Sequence, residues 1–332
     1  MIPDVPPHST MRSILSACYV CGSHKSFGQF LSTVYEKRTL LYDYPMLFQA
    51  SKVSRNAFNG LISADRLVYE HSSFSLIASL QMIAEENDSL QALTSGKRFP
   101  PTAAEQTQRV ITEARGLRFC PNCARSDSAR YGFPHWRVAH QAIYAHHCAE
   151  HRTALLSKCS SCGSAIQAKW GPHFAGDPCA NCGGSVFDSS GYRVPSAYWP
   201  LIELTQRVLQ RQAPELRPVH RAVSLSRITS ELMAGETETR VVMRNFLKCW
   251  NVQSWQELSG ILGNSTKTFQ LALYSYLVSL YPSEEFLETN FFGNSRVLRS
   301  GQRVQASTVL ESIEGRLFMV LFLGLKKYDV GK

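Results

Sequence analysis

Cys120-Pro121-Asn122-Cys123, Cys148-Ala149-Glu150-His151, Cys159-Ser160-Ser161-Cys162 and Cys179-Ala180-Asn181-Cys182 share one spacing, two residues between a pair of metal-ligating side chains. The intervals between the pairs are 24, 7 and 16 residues. Two intervening residues let a tight backbone knuckle present both side chains to one ion, and two knuckles complete a tetrahedral site. Pro121 and Asn122 suit the first turn, and Gly163 and Gly183 follow the third and fourth pairs. The eight side chains are therefore read as ligands of two Zn2+ ions. Both sites are closed, hence structural rather than catalytic. This segment is poor in apolar side chains, so each ion should contribute folding free energy directly. One pair ends in His and no secretory leader is evident, which favours zinc thiolates over disulfides.

The pairing of knuckles is a separate question. Sequential pairing gives one site of Cys120, Cys123, Cys148 and His151, and a four-cysteine ribbon of Cys159, Cys162, Cys179 and Cys182. Crossed pairing, first with third and second with fourth, is the alternative. The two Cys-x2-Cys-Gly knuckles look like a matched pair, which favours the sequential arrangement. His146 and His147 compete as ligands, but the spacing favours His151. Cys18-x2-Cys21-x2-His24 resembles half a site with no fourth ligand, so Cys18 is expected in a helical core. Cys249, beside Trp250, reads the same way.

The chain around this module has 332 residues, 44% apolar and 18% charged. That composition gives a sizeable core and excludes a mainly disordered, collagen-like or coiled-coil chain. Apolar positions from Ser13 to Tyr35 suggest two short helices broken near Gly22 and Ser23. Further helical stretches run to about Leu93, and Thr94 to Thr102 reads as a linker. After Pro195 the helical pattern returns, with Leu201, Leu204, Val208 and Leu209 on one face. The expected fold is mainly α with a central double zinc-finger/zinc-ribbon module. Its parts are a helical N-terminal domain (1–114), the double zinc-binding module (115–190) and a helical C-terminal domain (191–332).

The C-terminal part holds a second candidate motif at 254–277. Ser254 followed by Glu257 is a capping-box start, with Leu258, Ile261 and Leu262 as the apolar face. Gly263-Asn264-Ser265 supplies a turn, and Phe269, Leu273 and Leu277 give a second helix an inner face. That is the outline of a helix-turn-helix, in which Lys267 and Gln270 would face DNA; an ordinary helical hairpin fits the same pattern. The longest apolar run, Leu317 to Leu325, is too short to span a bilayer and is expected to be a buried helix.

The formal charge is +9, with 35 Lys and Arg against 26 Asp and Glu. Filled zinc sites would lower it to about +6. Between 115 and 170 there are eight Lys/Arg and two Asp/Glu, so an anionic partner could bind there, or the charges could simply be solvated. Leu15-Ser16-Ala17-Cys18 matches a lipoprotein cleavage box, but the Pro-rich stretch before it lacks the apolar run a signal requires. The chain is therefore expected in the cytoplasm.

Arg118-Phe119-Cys120-Pro121-x-Cys123, then Asp127, Tyr131-Gly132, Trp136, His140 and Cys148-x2-His151 leading to Cys159-x2-Cys162 closely resemble the TniQ/TnsD family of transposon target-selection proteins. Tyr69-Glu70-His71-Ser72-Ser73-Phe74 is similar to the same family, and the resemblance covers roughly 12–185. It implies a bacterial, nucleoid-associated protein of a heteromeric cut-and-paste transposon that selects the target site and recruits the AAA+ ATPase TnsC. TnsD-like members read a fixed DNA attachment site. Other members ride on an RNA-guided CRISPR Cascade complex, often as a dimer, so a homodimer is an expectation as well. The chain is shorter than the long TnsD pattern, which favours the adaptor role.

The same residues also bear on enzyme activity. No Walker motif is present, so the chain is not itself the ATPase. Cys148-x-Glu150 with Pro178-Cys179-x2-Cys182 matches the signature of zinc nucleobase deaminases, with Glu150 as general acid/base. That reading strands Cys120, Cys123, His151, Cys159 and Cys162. The expectation is no catalytic residue and no membrane partner. Trp136, Arg137, His140 and Gln141 either dock a partner or pack the zinc core.

Overall fold

The computed structural model describes residues 4, 6–35, 49–79, 83–95, 116–166, 171–189, 191, 194–212, 244–262, 271–272 and 275–276. Helices α1 (Met11–Val20) and α2 (Phe27–Tyr35) are separated near Gly22, as the sequence indicates. The Thr10 side chain accepts the Ser13 N–H at the start of α1. One face of α1 buries Ile14, Leu15 and Cys18, and Tyr19 meets Phe27 edge-on at 5.3 Å between ring centroids.

Helices α3 (Ala50–Phe58), α4 (Ala64–His71), α5 (Phe74–Ala78) and α6 (Ile83–Ser95) follow. Helix α3 packs on α2, α4 and α6. Asn59 and Gly60, both in the left-handed region, end α3, and Ser63 caps α4 by accepting the Arg66 N–H. Val53, Phe58, Leu67, Val68, Phe74 and Leu93 fill the space between these helices.

The opposite face of α1 carries two buried serines. Ser13 Oγ accepts the Trp136 N–H at 2.7 Å, and Ser16 Oγ accepts the His173 N–H at 3.1 Å. Small polar side chains here let the loop-rich segment approach the helix closely and satisfy its buried amides. The lead-in is docked as well. Thr10 N–H donates to Trp136 C=O at 2.6 Å, and Val138 N–H donates to His8 C=O at 2.8 Å.

Helix α7 (Pro121–Tyr131) and a short 3-10 helix (Val138–Gln141) precede the antiparallel strands β1 (Leu156–Cys159) and β2 (Phe187–Ser189). Cys159 pairs with Phe187 and Lys158 with Asp188, with a register irregularity between Leu156 and Lys158. Helix α8 (Tyr198–Leu209) packs on α5 and the 3-10 helix. Residues 244–249 are helical, and α9 (Trp255–Leu262) follows. At its start Glu257 N–H donates to Ser254 Oγ, while the Glu257 carboxylate accepts from Gln253 N–H, one residue before the cap.

One apolar core runs from the N-terminal helices through Cys120, Cys123 and Cys148 to α8, Phe246, Trp250, Leu258 and Leu262. A second, small core consists of Phe119, Trp136, Ile166 and Ala175. Of the expected second helix, 271–272 and 275–276 are helical, with Leu271, Ala272 and Tyr276 in the core; the turn and Lys267, Phe269, Gln270, Leu273 and Leu277, like the apolar run at 317–325, lie outside the described residues.

Candidate metal centres

Cys120 sits at the N-cap of α7 with Pro121 as its first residue, and Cys123 lies one turn in. Both sulfurs thus occupy the positive end of a helix, which favours thiolate. Cys148 and His151 come from a tight turn in which Arg152 N–H donates to Cys148 C=O at 2.9 Å and Cys148 N–H donates to Thr153 C=O at 2.8 Å. The turns at Cys159 and Cys179 repeat that pattern. Gly163 N–H donates to Cys159 C=O and Cys159 N–H to Ser164 C=O; Gly183 N–H donates to Cys179 C=O and Cys179 N–H to Gly184 C=O.

The residue after each of these three knuckles is left-handed: Arg152 at φ 56°, Gly163 at 68° and Gly183 at 75°. Two of the three use glycine, which takes that conformation without a Cβ penalty. A Cβ at Gly184 would lie 2.8 Å from Ser161 Oγ, so a side chain there would require Ser161 to shift.

The ligand atoms of Cys120, Cys123, Cys148 and His151 converge within 4.8 Å of one another, and so do those of Cys159, Cys162, Cys179 and Cys182. A tetrahedron with zinc–sulfur and zinc–nitrogen bonds of ordinary length has S···S edges of about 3.8 Å and S···N edges of about 3.6 Å. Cys123 Sγ lies 3.6 Å from Cys148 Sγ and 3.3 Å from His151 Nδ1, and Cys120 Sγ lies 3.7 Å from that nitrogen. In the ribbon, Cys159–Cys182 and Cys162–Cys179 are 3.6 and 3.8 Å apart. Both donor sets fit a tetrahedral dication, and the knuckles meet in sequential order. Hydrogen bonds from Cys123 and Cys148 hold the Cys120 thiol well below its ordinary range. A bound dication would let all three sulfurs be thiolates.

Charged groups brace the first cluster. Arg137 donates to both carboxylate oxygens of buried Asp127, at 2.8 and 3.3 Å, and to Glu150 at 2.6 Å. Burial opposes the Arg137 charge, but the Asp127 bonds together with the neighbouring negative charges of Cys123, Asp127 and Glu150 outweigh it and raise its pKa. Arg118 donates to the carbonyls of Ala142, Ile143 and Ala145, fixing the loop before Cys148. Gln141 pairs with both backbone groups of Arg118. Thr153 Oγ1 lies 3.3 Å from Cys120 Sγ. His140 is buried with Nε2 4.0 Å from Cys123 Sγ, and burial, followed by the Arg137 charge, pushes it down to about 3. Trp136 is fully buried and donates its indole N–H to His173 C=O at 3.0 Å. These four neighbours, Trp136, Arg137, His140 and Gln141, pack the module.

Other sequence candidates separate from the clusters. His147 lies against Tyr198 and Trp199, and both His146 and His147 give their N–H to Tyr198 Oη. Cys18 is in the core, Cys21 caps α1, and His24 stands over Phe30. The deaminase signature is split, with Cys148 in one cluster and Cys179 and Cys182 in the other. Glu150 is half exposed and paired with Arg137. The sequence gives no role to Arg118 or Asp127, whose only signal is a place in the string that carries the family resemblance; Arg137 is singled out there, but not its pairing with Asp127.

The model of the TniQ family matches residues 4–155. The chain carries a TniQ domain. Over those residues the chain is similar to the TniQ family. No curated protein matches the chain. The TniQ match takes in α1 to α7 and all four ligands of the first cluster, and it ends one residue before β1. The TniQ domain points to a transposition-associated target-selection protein. Among the described residues of this TniQ chain, no helix is long and apolar enough to cross a membrane.

Proposed function

We propose that the chain is a non-catalytic target-selection adaptor of a heteromeric cut-and-paste transposon. It links a target-DNA-bound complex, of which an RNA-guided Cascade is the favoured form, to the AAA+ regulator TnsC and so to the transposase. The observation that carries this reading is the TniQ match across the N-terminal helices and the first Cys/His cluster. In this reading two Zn2+ ions are structural, one on each cluster, and hold the helical parts in fixed relation. The helices from α1 to α6 offer the surface to TnsC, by family analogy. The protein acts at the bacterial nucleoid because its partner is bound to DNA.

The test is selection from a random duplex library by the zinc-loaded protein at physiological salt, since phosphate contacts are salt-sensitive. A parallel capture uses the AAA+ regulator encoded with it. The expected result is weak, salt-labile DNA binding without sequence enrichment, together with capture of the ATPase. Enrichment of one sequence would overturn the adaptor role in favour of direct, TnsD-type reading, and would direct attention to Lys267 and Gln270. Sedimentation of the same sample decides whether the protein is a homodimer.

A further inference from the structure

The two clusters differ in what surrounds the sulfurs. Cys120, Cys123 and Cys148 are buried and belong to the large core, with a histidine as fourth ligand. Cys162 and Cys182 are exposed, one from each ribbon knuckle, and none of the ribbon's four cysteines belongs to either apolar core. The exposed sulfurs face buried partners across the knuckles. Cys162 Sγ is 3.8 Å from Cys179 Sγ, and Cys182 Sγ is 3.6 Å from Cys159 Sγ. Among the described residues the ribbon's strands pair as β1 with β2, beside an isolated bridge from Lys158 to Ala165, and two strands alone are marginal in water.

From these differences we infer that the tetrathiolate of Cys159, Cys162, Cys179 and Cys182 is an oxidisable, metal-exchanging site, distinct in reactivity from the buried cluster. The oxidant class is a hydroperoxide. Oxidation of thiols follows thiolate character and access; zinc-bound sulfurs would be thiolates in both clusters, and only the ribbon exposes two of them, Cys162 and Cys182. The Cys162 thiolate attacks one peroxide oxygen, the O–O bond breaks, and the sulfur becomes a sulfenic acid as hydroxide takes up a proton to leave as water. Cys179 displaces the sulfenic oxygen, which leaves as a second water after protonation, and the S–S bond forms. Cys182 and Cys159 react in the same way. In total the zinc tetrathiolate, two hydrogen peroxide molecules and four protons give free Zn2+, two disulfides and four waters.

Each disulfide joins the same two knuckles that the shared dication joined. The sulfurs need to close from these separations to about 2.05 Å, so the oxidised ribbon can keep its connectivity and be restored by thiol and metal. The first cluster cannot follow this course. It has three sulfurs, so one disulfide leaves an unpaired thiol, and its sulfurs are screened by the core.

The inference rests on the two-zinc reading above. The experiment titrates the full-length zinc-loaded protein with hydrogen peroxide in the presence of a chromogenic zinc chelator, then maps cysteines by mass spectrometry. One of two zinc ions is expected to leave first. The Cys162–Cys179 and Cys159–Cys182 disulfides should appear while Cys120, Cys123 and Cys148 remain unmodified. Dithiothreitol with added zinc should restore the second ion. The double variant Cys162→Ser, Cys182→Ser should start with one ion and release none in the early phase. Simultaneous loss of both ions, or oxidation of the first cluster before the ribbon, overturns the inference but leaves the two-zinc reading intact. Fewer than two ions at the outset overturns that reading and the inference with it.

Discussion

Two four-ligand clusters of similar spacing stand in opposite settings. The first is set into the main core, between the N-terminal helices, α7 and α8, and the Arg137 bridge to Asp127 and Glu150 covers one side of it. The second closes a two-stranded ribbon at the surface, anchored by a small core around Phe119 and Trp136. Ligand spacing dictates that a site forms, but the packing around it decides how much of the protein depends on it. Removing a ligand from the first cluster should therefore differ in kind from removing one from the second.

The largest expected effect tests that contrast directly. Cys120→Ser should abolish the first site and unfold the body of the protein, because a site buried in the core contributes on the order of the whole folding free energy of a domain, roughly 5–15 kcal/mol. Cys182→Ser should cost the ribbon its metal and leave the main melting transition near its original temperature. Zinc content and far-ultraviolet circular dichroism on both variants read this out. Equal melting of the two would erase the distinction, and an unchanged Cys120→Ser protein would remove the metal from the folding argument.

Next comes the joint between the two regions. Trp136 meets Phe119 edge-on at 5.8 Å, donates its backbone N–H to Ser13 Oγ and donates its indole N–H to His173 C=O. Trp136→Ala should cost about 3–5 kcal/mol through the lost ring and the cavity it leaves. Hydrogen exchange should show deprotection spreading from 171–189 to α1, since both are tied to this residue. Deprotection confined to the ribbon would show that the body does not rely on the joint.

How far the sequence revealed all this depends on the range of the interactions. The two Cys/His clusters were legible because two-residue spacing is local, and the break between α1 and α2 was legible at Gly22 and Ser23. The start of α9 was legible from Ser254 and Glu257, apart from the shift of the Glu257 bond to Gln253. Ser13 and Ser16 were not legible as anchors. Their partners lie 123 and 157 residues away, and nothing near either serine in sequence marks the match. The partners of Arg118 and Arg137 were not legible, because only the folded loop supplies the carbonyls and carboxylates they meet. Arg152 was missed because the turn it occupies shows glycine at the other two knuckles.

Acid should separate the regions by a third route. His71 is buried in the helical body and bonded through Nδ1 to Ser9 C=O at 2.9 Å, and burial pushes it down to about 4. The unfolded chain binds a proton near pH 6.5 that the folded state refuses, so stability is full above that pH and falls as pH drops towards 4. The loss from this one group is about 3 kcal/mol. His71→Asn keeps a donor for Ser9 without the titration, and should flatten this part of the acid limb. Thermal melts between pH 7 and 4.5 check it. An unchanged limb in the variant would place the acid sensitivity elsewhere.

The smallest effect is the most local comparison, because it asks whether knuckles in the two clusters are one structure. Arg152, Gly163 and Gly183 hold equivalent left-handed positions. Arginine there costs about 1 kcal/mol relative to glycine. It is retained with its guanidinium 4.3 Å from the centre of the Trp199 ring and paired with Glu203, both on α8. Both contacts are exposed enough to be worth at most about 1 kcal/mol each. Arg152→Ala loses the contacts and keeps the strain, whereas Arg152→Gly loses the contacts and relieves it. The glycine variant should therefore be more stable than the alanine variant by about 1 kcal/mol and close to the parent protein. Gly183→Ala should impose the same strain on the ribbon, seen as weaker zinc retention rather than a lower main melting temperature. If alanine and glycine at 152 melt together, the first cluster's knuckle does not share the ribbon's turn, and the likeness of the two sites ends at their ligand spacing.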